Sequence, residues 1–327
     1  MKNVVTIGGG TGHYQILHGL NRYNEVNLTA LVSVADNGKS SGRLREEFVP
    51  YGGLLPPGDL RNCLLALLDR ERFQTVNDMF SYRYPGNGQL GEHNLGNLIL
   101  AFAQKKYGVE GIENIARDVL KLPENRRVMP VSDKETHIYA TTKSGKILEG
   151  QWNVSYPSSE EEIYRVWIAP ENKLHHKAKK AIEQADLIVY CPGDFWGSIV
   201  PPLLTGGMRE ALKESKALKA YVCNLVTKQG TRGFKASDFT REIERYTEVR
   251  LDAIICNNKK PTRRAIDKYR GEEAEFVEVD ITDERVVGAE LLMEIPSEKE
   301  NKIFARHNAE VTASVLIGLL NDYSPGQ

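Results

Sequence analysis

The stretch VVTIGGGTGHYQILHGL, residues 4–20, runs from a β-branched apolar block through four glycines into a segment whose apolar residues return at helical spacing. Strand, bare turn, helix is the reading that decides the fold. Gly8, Gly9, Gly10 and Gly12 carry no Cβ, so main-chain N–H groups can approach a ligand closely and positive φ costs little. A helix opening at such a turn offers those N–H groups to an anion, above all a phosphate.

The same grammar continues outward. LTALVSV (28–34) reads as a second buried strand, and apolar spacing predicts helices over Asp59–Leu68 and Asn94–Tyr107. Between about residues 127 and 168 the pattern changes: RVMPVS, HIYATT, ILEGQWNVS and YRVWIA read as successive strands, with KSGK as a hairpin turn. From His175 the alternation returns, with a helix to Ala185, then strands DLIVYC, AYVCNLV and DAIIC separated by helices after Trp196 and from Ser237. Further helices are predicted around Tyr269 and from Asn308 to Leu320. Strands alternating with helices imply a parallel sheet covered on both faces. The expectation is a single α/β domain over residues 1–327. Its core is a Rossmann-like, doubly wound, mostly parallel sheet, interrupted by an antiparallel β-rich insert at 127–168.

Composition narrows the function classes. Lys and Arg total 43 against 44 Asp and Glu, so no global field recruits nucleic acid or an anionic membrane, and anion selectivity must be local. Cys63, Cys191, Cys223 and Cys256 form no CxxC pair and no zinc spacing; three of them close apolar runs, as buried strand thiols of a reducing compartment do. The opening MKNVVTIGGG is too short in apolar residues for a signal sequence or a membrane span, and the expected location is cytoplasmic.

Several motifs bear on chemistry. GGGTGH supplies G-x-G but puts His13 where a dinucleotide fingerprint has its third glycine. Asp36, 24 residues past Gly12 at the end of the second strand, can accept hydrogen bonds from a ribose. A mononucleotide, a dinucleotide such as NAD, or a nucleotide sugar satisfies this geometry. SVADNGKS (33–40) misses a P-loop, because Ser33 replaces the first glycine. Asn37, Ser40, Ser41 and Arg43 still make a polar loop beside the glycines. In PPGDLRN (56–62) Asp59 is placed to cap a helix, and Arg61 and Asn62 fall in its first turn. A cation there is tolerated when an anion shares the site. EHNLGN (92–97) joins His93, Asn94 and Asn97, with His93 open to acid–base, metal-binding or capping roles.

Taken together, IGGGTG, SVADNGKSSGRLREE, LPPGDLRNCL, HNLGN and YVCN resemble the gluconeogenesis-factor family (YvcK/GlmR type), within the superfamily of the 2-phospho-L-lactate transferase CofD. The resemblance extends over nearly the whole chain. It implies a cytoplasmic bacterial protein that binds UDP-sugars such as UDP-N-acetylglucosamine and supports cell shape and wall-precursor supply on gluconeogenic carbon. A protein partner in amino-sugar synthesis goes with it, and homodimers are an open expectation. Gly193 and Asn224 join the candidate ligand contacts by their motif positions, and the family's UDP-sugar tyrosine and arginine match Tyr269 and Arg306. The chain departs from the family pattern at Asn37, at Lys39, and in CPGDFWGS (191–198), where Asp194 adds charge and Phe195 and Trp196 add bulk.

Three functions compete on this basis. In a UDP-sugar-binding regulator, Gly9, Gly10, Thr11 and Gly12 surround phosphate or ribose, Asp36 meets a sugar hydroxyl and Tyr269 stacks on the base. A CofD-type transferase would use Asp36 and Asp59 to assist Mg²⁺, with His93 a further catalytic candidate. A nicotinamide-dependent oxidoreductase would use the glycine loop and Asp36, without a recognisable hydride-transfer constellation.

Overall fold

A computed structural model describes residues 1–35, 39–86, 88, 90–297 and 302–323. The chain is a mixed α/β protein. Strands β1 (Lys2–Gly8), β2 (Val26–Val32) and β3 (Arg126–Pro130) are followed by β4 (His137–Thr142), β5 (Ile147–Glu149) and β6 (Ile163–Ala169). Then come β7 (Leu187–Tyr190), β8 (Leu218–Val222), β9 (Ala253–Asn257) and β10 (Val286–Ala289), and last β11 (Leu292–Ser297) and β12 (Lys302–His307). Seven strands form one sheet in the order β10-β9-β8-β7-β1-β2-β3, with every neighbouring pair parallel.

β1 is buried on both faces, which is why its sequence is a continuous apolar block rather than an alternating one. Val4 packs into one hydrophobic cluster, and Val5 and Ile7 into another on the opposite face. Helices supply both clusters. On the Val4 face lie α1 (Gly10–Leu20), α3 (Pro57–Ala66), α5 (Leu95–Tyr107) and the helix Ala309–Asp322. α1 and this last helix meet so closely that a Cβ on Gly19 would stand 2.0 Å from the Ala309 carbonyl oxygen. Two further helices, α2 (Lys39–Phe48) and α4 (Arg70–Ser81), lie in the same half of the chain.

From β1 the chain runs outward through β2 and β3, then returns to the other side of β1 as β7 and proceeds to β10. The connections leaving the C-terminal ends of β1 and β7 therefore diverge. A crevice opens between them, the place where open α/β sheets take ligands.

The sequence reading needs five corrections. Asp59 does not cap its helix: α3 starts at Pro57 with Pro56 as its N-cap, and Asp59 sits two residues inside the first turn. RVMPVS is not part of the insert: Arg126–Pro130 is the edge strand of the central sheet, paired with β2. The antiparallel insert is the smaller sheet β5-β4-β6, and KSGK does turn its β4–β5 hairpin, with Gly145 at φ 88°. ILEGQWNVS is not one strand, because after β5 the residues Gln151–Ser155 form a helical turn. Ser40 and Ser41, expected in a loop, lie in the first turn of α2, and an antiparallel pair, β11 with β12, was not anticipated. Periodicity cannot separate a three-residue strand from a five-residue helix, since neither is long enough to show its repeat twice.

Candidate functional site: a cleft at the end of β1

The glycine loop is bare for three different reasons. Gly10 sits at φ +68°, in the left-handed region that other residues avoid. A Cβ on Gly12 would lie 1.9 Å from the Pro192 carbonyl oxygen, so the start of α1 presses directly on the connection after β7. At Gly9 the added atom would meet Asp59 Oδ2 at 2.3 Å. Gly9 is the N-cap of α1 and supplies no side-chain hydrogen bond, so the helix opens with N–H groups that no cap satisfies.

The loop faces a cleft of about 960 Å³. Gly10, Thr11, Gly12 and Asp59 form one side, and Gly193, Asp194 and Ser198 adjoin them. The segment Asn224–Gln229 after β8 lines it as well. So do Lys268 and Tyr269, from the helix Arg263–Gly271, and Phe304–His307 of β12. Asn224 ties the floor to the β7 connection: its Nδ2 donates to the Gly193 carbonyl at 2.7 Å, and its Oδ1 accepts from the Tyr221 hydroxyl at 3.0 Å.

Arg306 brings a guanidinium to this space. Its Nη1 donates to the Ala305 carbonyl at 3.2 Å, its Cζ lies 5.1 Å from the Phe304 ring centroid, and among the described residues it has no carboxylate partner. The Lys268 ammonium shares the Phe304 ring at 4.7 Å and lies 3.9 Å from the Tyr269 centroid, with Glu272 at 3.4 Å. Tyr269 is 7% exposed, its hydroxyl accepts the Ala305 N–H at 2.8 Å, and Phe276 packs edge-on at 5.5 Å. Lys268 and Phe276 occupy its ring, and little of it is open to the cleft. What it does instead is fix the residue next to Arg306.

His307 is buried and its Nε2 donates to the Cys223 carbonyl at 3.0 Å. Burial pulls its pKa down to about 4, against a smaller opposing effect of that hydrogen bond, so it is neutral near pH 7. Lys228 pairs with Asp194 at 3.1 Å and lies 5.3 Å over the Tyr156 ring. Burial disfavours its charge, but Asp194 and Tyr156 outweigh that and raise its pKa. The extra charge at Asp194 is thereby neutralised, and Asp194 also caps the turn after it by accepting the Gly197 N–H at 3.1 Å. Phe195 and Trp196 add no bulk to the cleft: both are buried and pack edge-on with Phe234 and Phe239 or Tyr246, and Trp196 donates to the Gly230 carbonyl at 2.6 Å.

A second group of predicted contacts lies apart from the cleft lining. Ser40 Oγ accepts from the Asn94 N–H at 3.3 Å and from Asn97 Nδ2 at 3.2 Å, and stands 3.5 Å from His93 Nδ1. Asn94 caps α5 by accepting the Asn97 N–H at 3.1 Å. Arg61 donates to Asn97 Oδ1 and to Asn62 Oδ1, each at 2.9 Å. Ser41 Oγ accepts the Gly58 N–H at 3.1 Å, and Arg43 donates to the Gly91 carbonyl at 2.7 Å. These side chains knot the first turns of α2, α3 and α5 together.

His13 is a correction. It is fully buried beneath the loop, with Nε2 2.8 Å from the Thr6 hydroxyl and Nδ1 3.6 Å from Cys63 Sγ. Burial lowers its pKa to about 4 despite a bond to the Gly8 backbone, so it is a neutral core imidazole and not a ligand contact. Asp36 and Asn37 lie outside the described residues. Among the described residues no group of three or more His, Cys, Asp or Glu side chains converges on a metal-sized site. The four cysteines are free and buried.

Sequence reading missed Trp152, Tyr156, Lys228, Lys268 and His307 as cleft residues. Lys268 and His307 adjoin Tyr269 and Arg306, so neighbourhood along the chain was a usable signal. Trp152 and Tyr156 had none, because their segment read as strand.

The glycine loop, the parallel sheet and the crevice define a class. A family model for the 2-phospho-L-lactate transferase CofD matches residues 4–295. The chain is 37% identical over 321 residues to a putative gluconeogenesis factor of Thermotoga maritima, covering 96% of this chain and 98% of that one. Identity is 32% over 323 residues to a gluconeogenesis factor of Bacillus subtilis, covering 98% of each. A crystal structure of a UPF0052-family protein from Bacillus halodurans superposes with a TM-score of 0.86 at 33% identity, covering 97% of this chain and 100% of that one. The chain belongs to the gluconeogenesis-factor family of the CofD superfamily. Among the described residues no helix is long and apolar enough to cross a membrane.

Proposed function

We propose that the protein is a UDP-sugar-binding regulator, with UDP-N-acetylglucosamine as its ligand. In this reading the sheet is of the Rossmann-like, doubly wound kind, which matches its strand order, and the diphosphate lies in the crevice at the order's reversal. The observation that carries the reading is the convergence of Arg306 with Gly10–Gly12 on one cleft, across nearly three hundred residues of chain. An uncapped helix start gives N–H groups to one phosphate, and a guanidinium without a carboxylate partner among the described residues gives a bidentate donor to the other. Lys268 adds a further positive charge. The family resemblance supplies the rest: a protein supporting cell shape and wall-precursor supply on gluconeogenic carbon, acting through a partner in amino-sugar synthesis.

Titration calorimetry with UDP-N-acetylglucosamine tests this. Saturable binding without turnover, weakened tenfold or more by Arg306→Ala, is expected; no heat with any UDP-sugar at concentrations well above cellular levels removes the proposal. One observation favours a second reading, a CofD-type transfer of a phosphoryl-linked group: the Asp59 carboxylate, 8% exposed, stands against the glycine loop where it could share Mg²⁺ with substrate phosphates. Incubation with nucleotide donors, Mg²⁺ and cell extract, followed by mass spectrometry, decides it, and an unchanged donor pool counts against transfer.

A further inference from the structure

We propose that Trp152, backed by Tyr156, is the platform on which the nucleobase of the ligand stacks; this rests on the reading of the cleft as a nucleotide-sugar site. Trp152 is 69% exposed although it lines the cleft, and an indole left in water forgoes the burial that most tryptophans obtain. It is nevertheless held firmly. Its short helix is anchored by Val154 and Ser155, both buried, and presses on the turn after Asp194, where a Cβ on Gly197 would stand 2.8 Å from Gln151 Cγ. The Tyr156 ring lies 4.5 Å away and supports one side of the indole. Lys228, itself tied to Asp194, holds Tyr156 in turn.

The other aromatic groups along the cleft are already engaged. Tyr269 is nearly buried, its hydroxyl bonded and its ring taken by Lys268 and Phe276. Phe304 carries both Lys268 and Arg306. Elsewhere in the molecule, Trp196 is buried and hydrogen-bonded and Trp167 stacks on Tyr139 at 5.7 Å. Among the described residues, Trp152 is thus the cleft aromatic that is at once anchored, widely exposed and without a cation on its ring. A flat base with two π faces fits such a surface; a phosphate does not.

The test uses the full-length protein and three probes: UDP, N-acetylglucosamine 1-phosphate and inorganic pyrophosphate. UDP is expected to quench the wild-type tryptophan emission and to leave the emission of Trp152→Phe unchanged. By calorimetry, Trp152→Ala is expected to weaken UDP about tenfold, within the range known for base–aromatic stacking. Trp152→Phe should recover most of that loss, and pyrophosphate should bind all three proteins alike. Equal UDP affinity in the wild type and Trp152→Ala overturns the platform and leaves the cleft reading standing. A loss confined to N-acetylglucosamine 1-phosphate overturns it in favour of a sugar-stacking surface, and a parallel loss for pyrophosphate overturns it by showing a distorted cleft. Failure of the wild type to bind UDP or any UDP-sugar is a separate result, which removes the nucleotide-sugar reading itself.

Discussion

The glycine loop and the Ser40 knot are neighbours at the start of α3, and both carry motifs whose residue types point to ligand binding. Their hydrogen bonds go to different places. In the knot, Ser40, Asn94, Asn97 and Arg61 bond to one another and to the first turns of three helices. At the loop, the first turn of α1 has no side-chain cap, and the space in front of it is open. The same chemistry therefore serves two ends: side chains that bond to one another inside the chain build the scaffold, and a helix start that its own N-cap leaves uncapped opens on the cleft.

The sharpest break of this contrast is Gly12→Ala. Its Cβ would collide with the Pro192 backbone, which no rotamer change relieves, so a loss of about 3 kcal/mol or more is expected in urea unfolding. A stable Gly12→Ala protein would show that the loop does not rest on the β7 connection.

A pH series probes what lies beneath the two sides of the cleft. His13 and His307 are held neutral by burial at a pKa of about 4, against about 6.5 in the unfolded chain. The unfolded state takes up more protons between these values, so stability is full above pH 6.5 and falls as the pH drops toward 4. Each imidazole contributes on the order of 3 kcal/mol. Denaturant midpoints at pH 7, 6 and 5 should decline, and His307→Gln, which keeps a donor for the Cys223 carbonyl, should shallow the slope. A flat profile would mean that neither imidazole is desolvated.

Two arginines then separate scaffold from site. Arg61→Ala, which strips Asn97 and Asn62 of their donor, should cost about 2 kcal/mol of stability. Arg306→Ala should leave stability within about 0.5 kcal/mol and weaken diphosphate binding tenfold or more. The reverse pattern would exchange the roles assigned to the two regions. The smallest expected effect is that of Tyr269→Phe. The Ala305 N–H loses its acceptor at a cost of about 1 kcal/mol, and ligand affinity falls modestly because Arg306 is less well fixed.

Much of this molecule was legible in order along the chain. The helices Leu95–Tyr107 and Ala309–Asp322 begin within one residue of the starts read at Asn94 and Asn308, and each asparagine turns out to cap its helix. These signals are local: a capping side chain reaches its own next turn, and apolar spacing repeats within one element. Errors fell where the element was too short to show a period, at Gln151–Ser155, or where a strand's place in a sheet depends on a distant partner, at Arg126–Pro130.

The amino-acid order by itself thus determined the parallel α/β pattern, the glycine turn, the starts of the long helices and the burial of the cysteine-bearing strands, because each depends on residues within a few positions of one another. Only the tertiary structure decided that Arg306 lines the same cleft as the loop while Arg61 turns to Asn97, that Tyr269 is a brace and Trp152 an open surface, and that His13 belongs to the core. Those outcomes are settled by which polar atoms meet across the fold and which are left over. That is a property of contacts between distant segments, and residue type alone does not carry it.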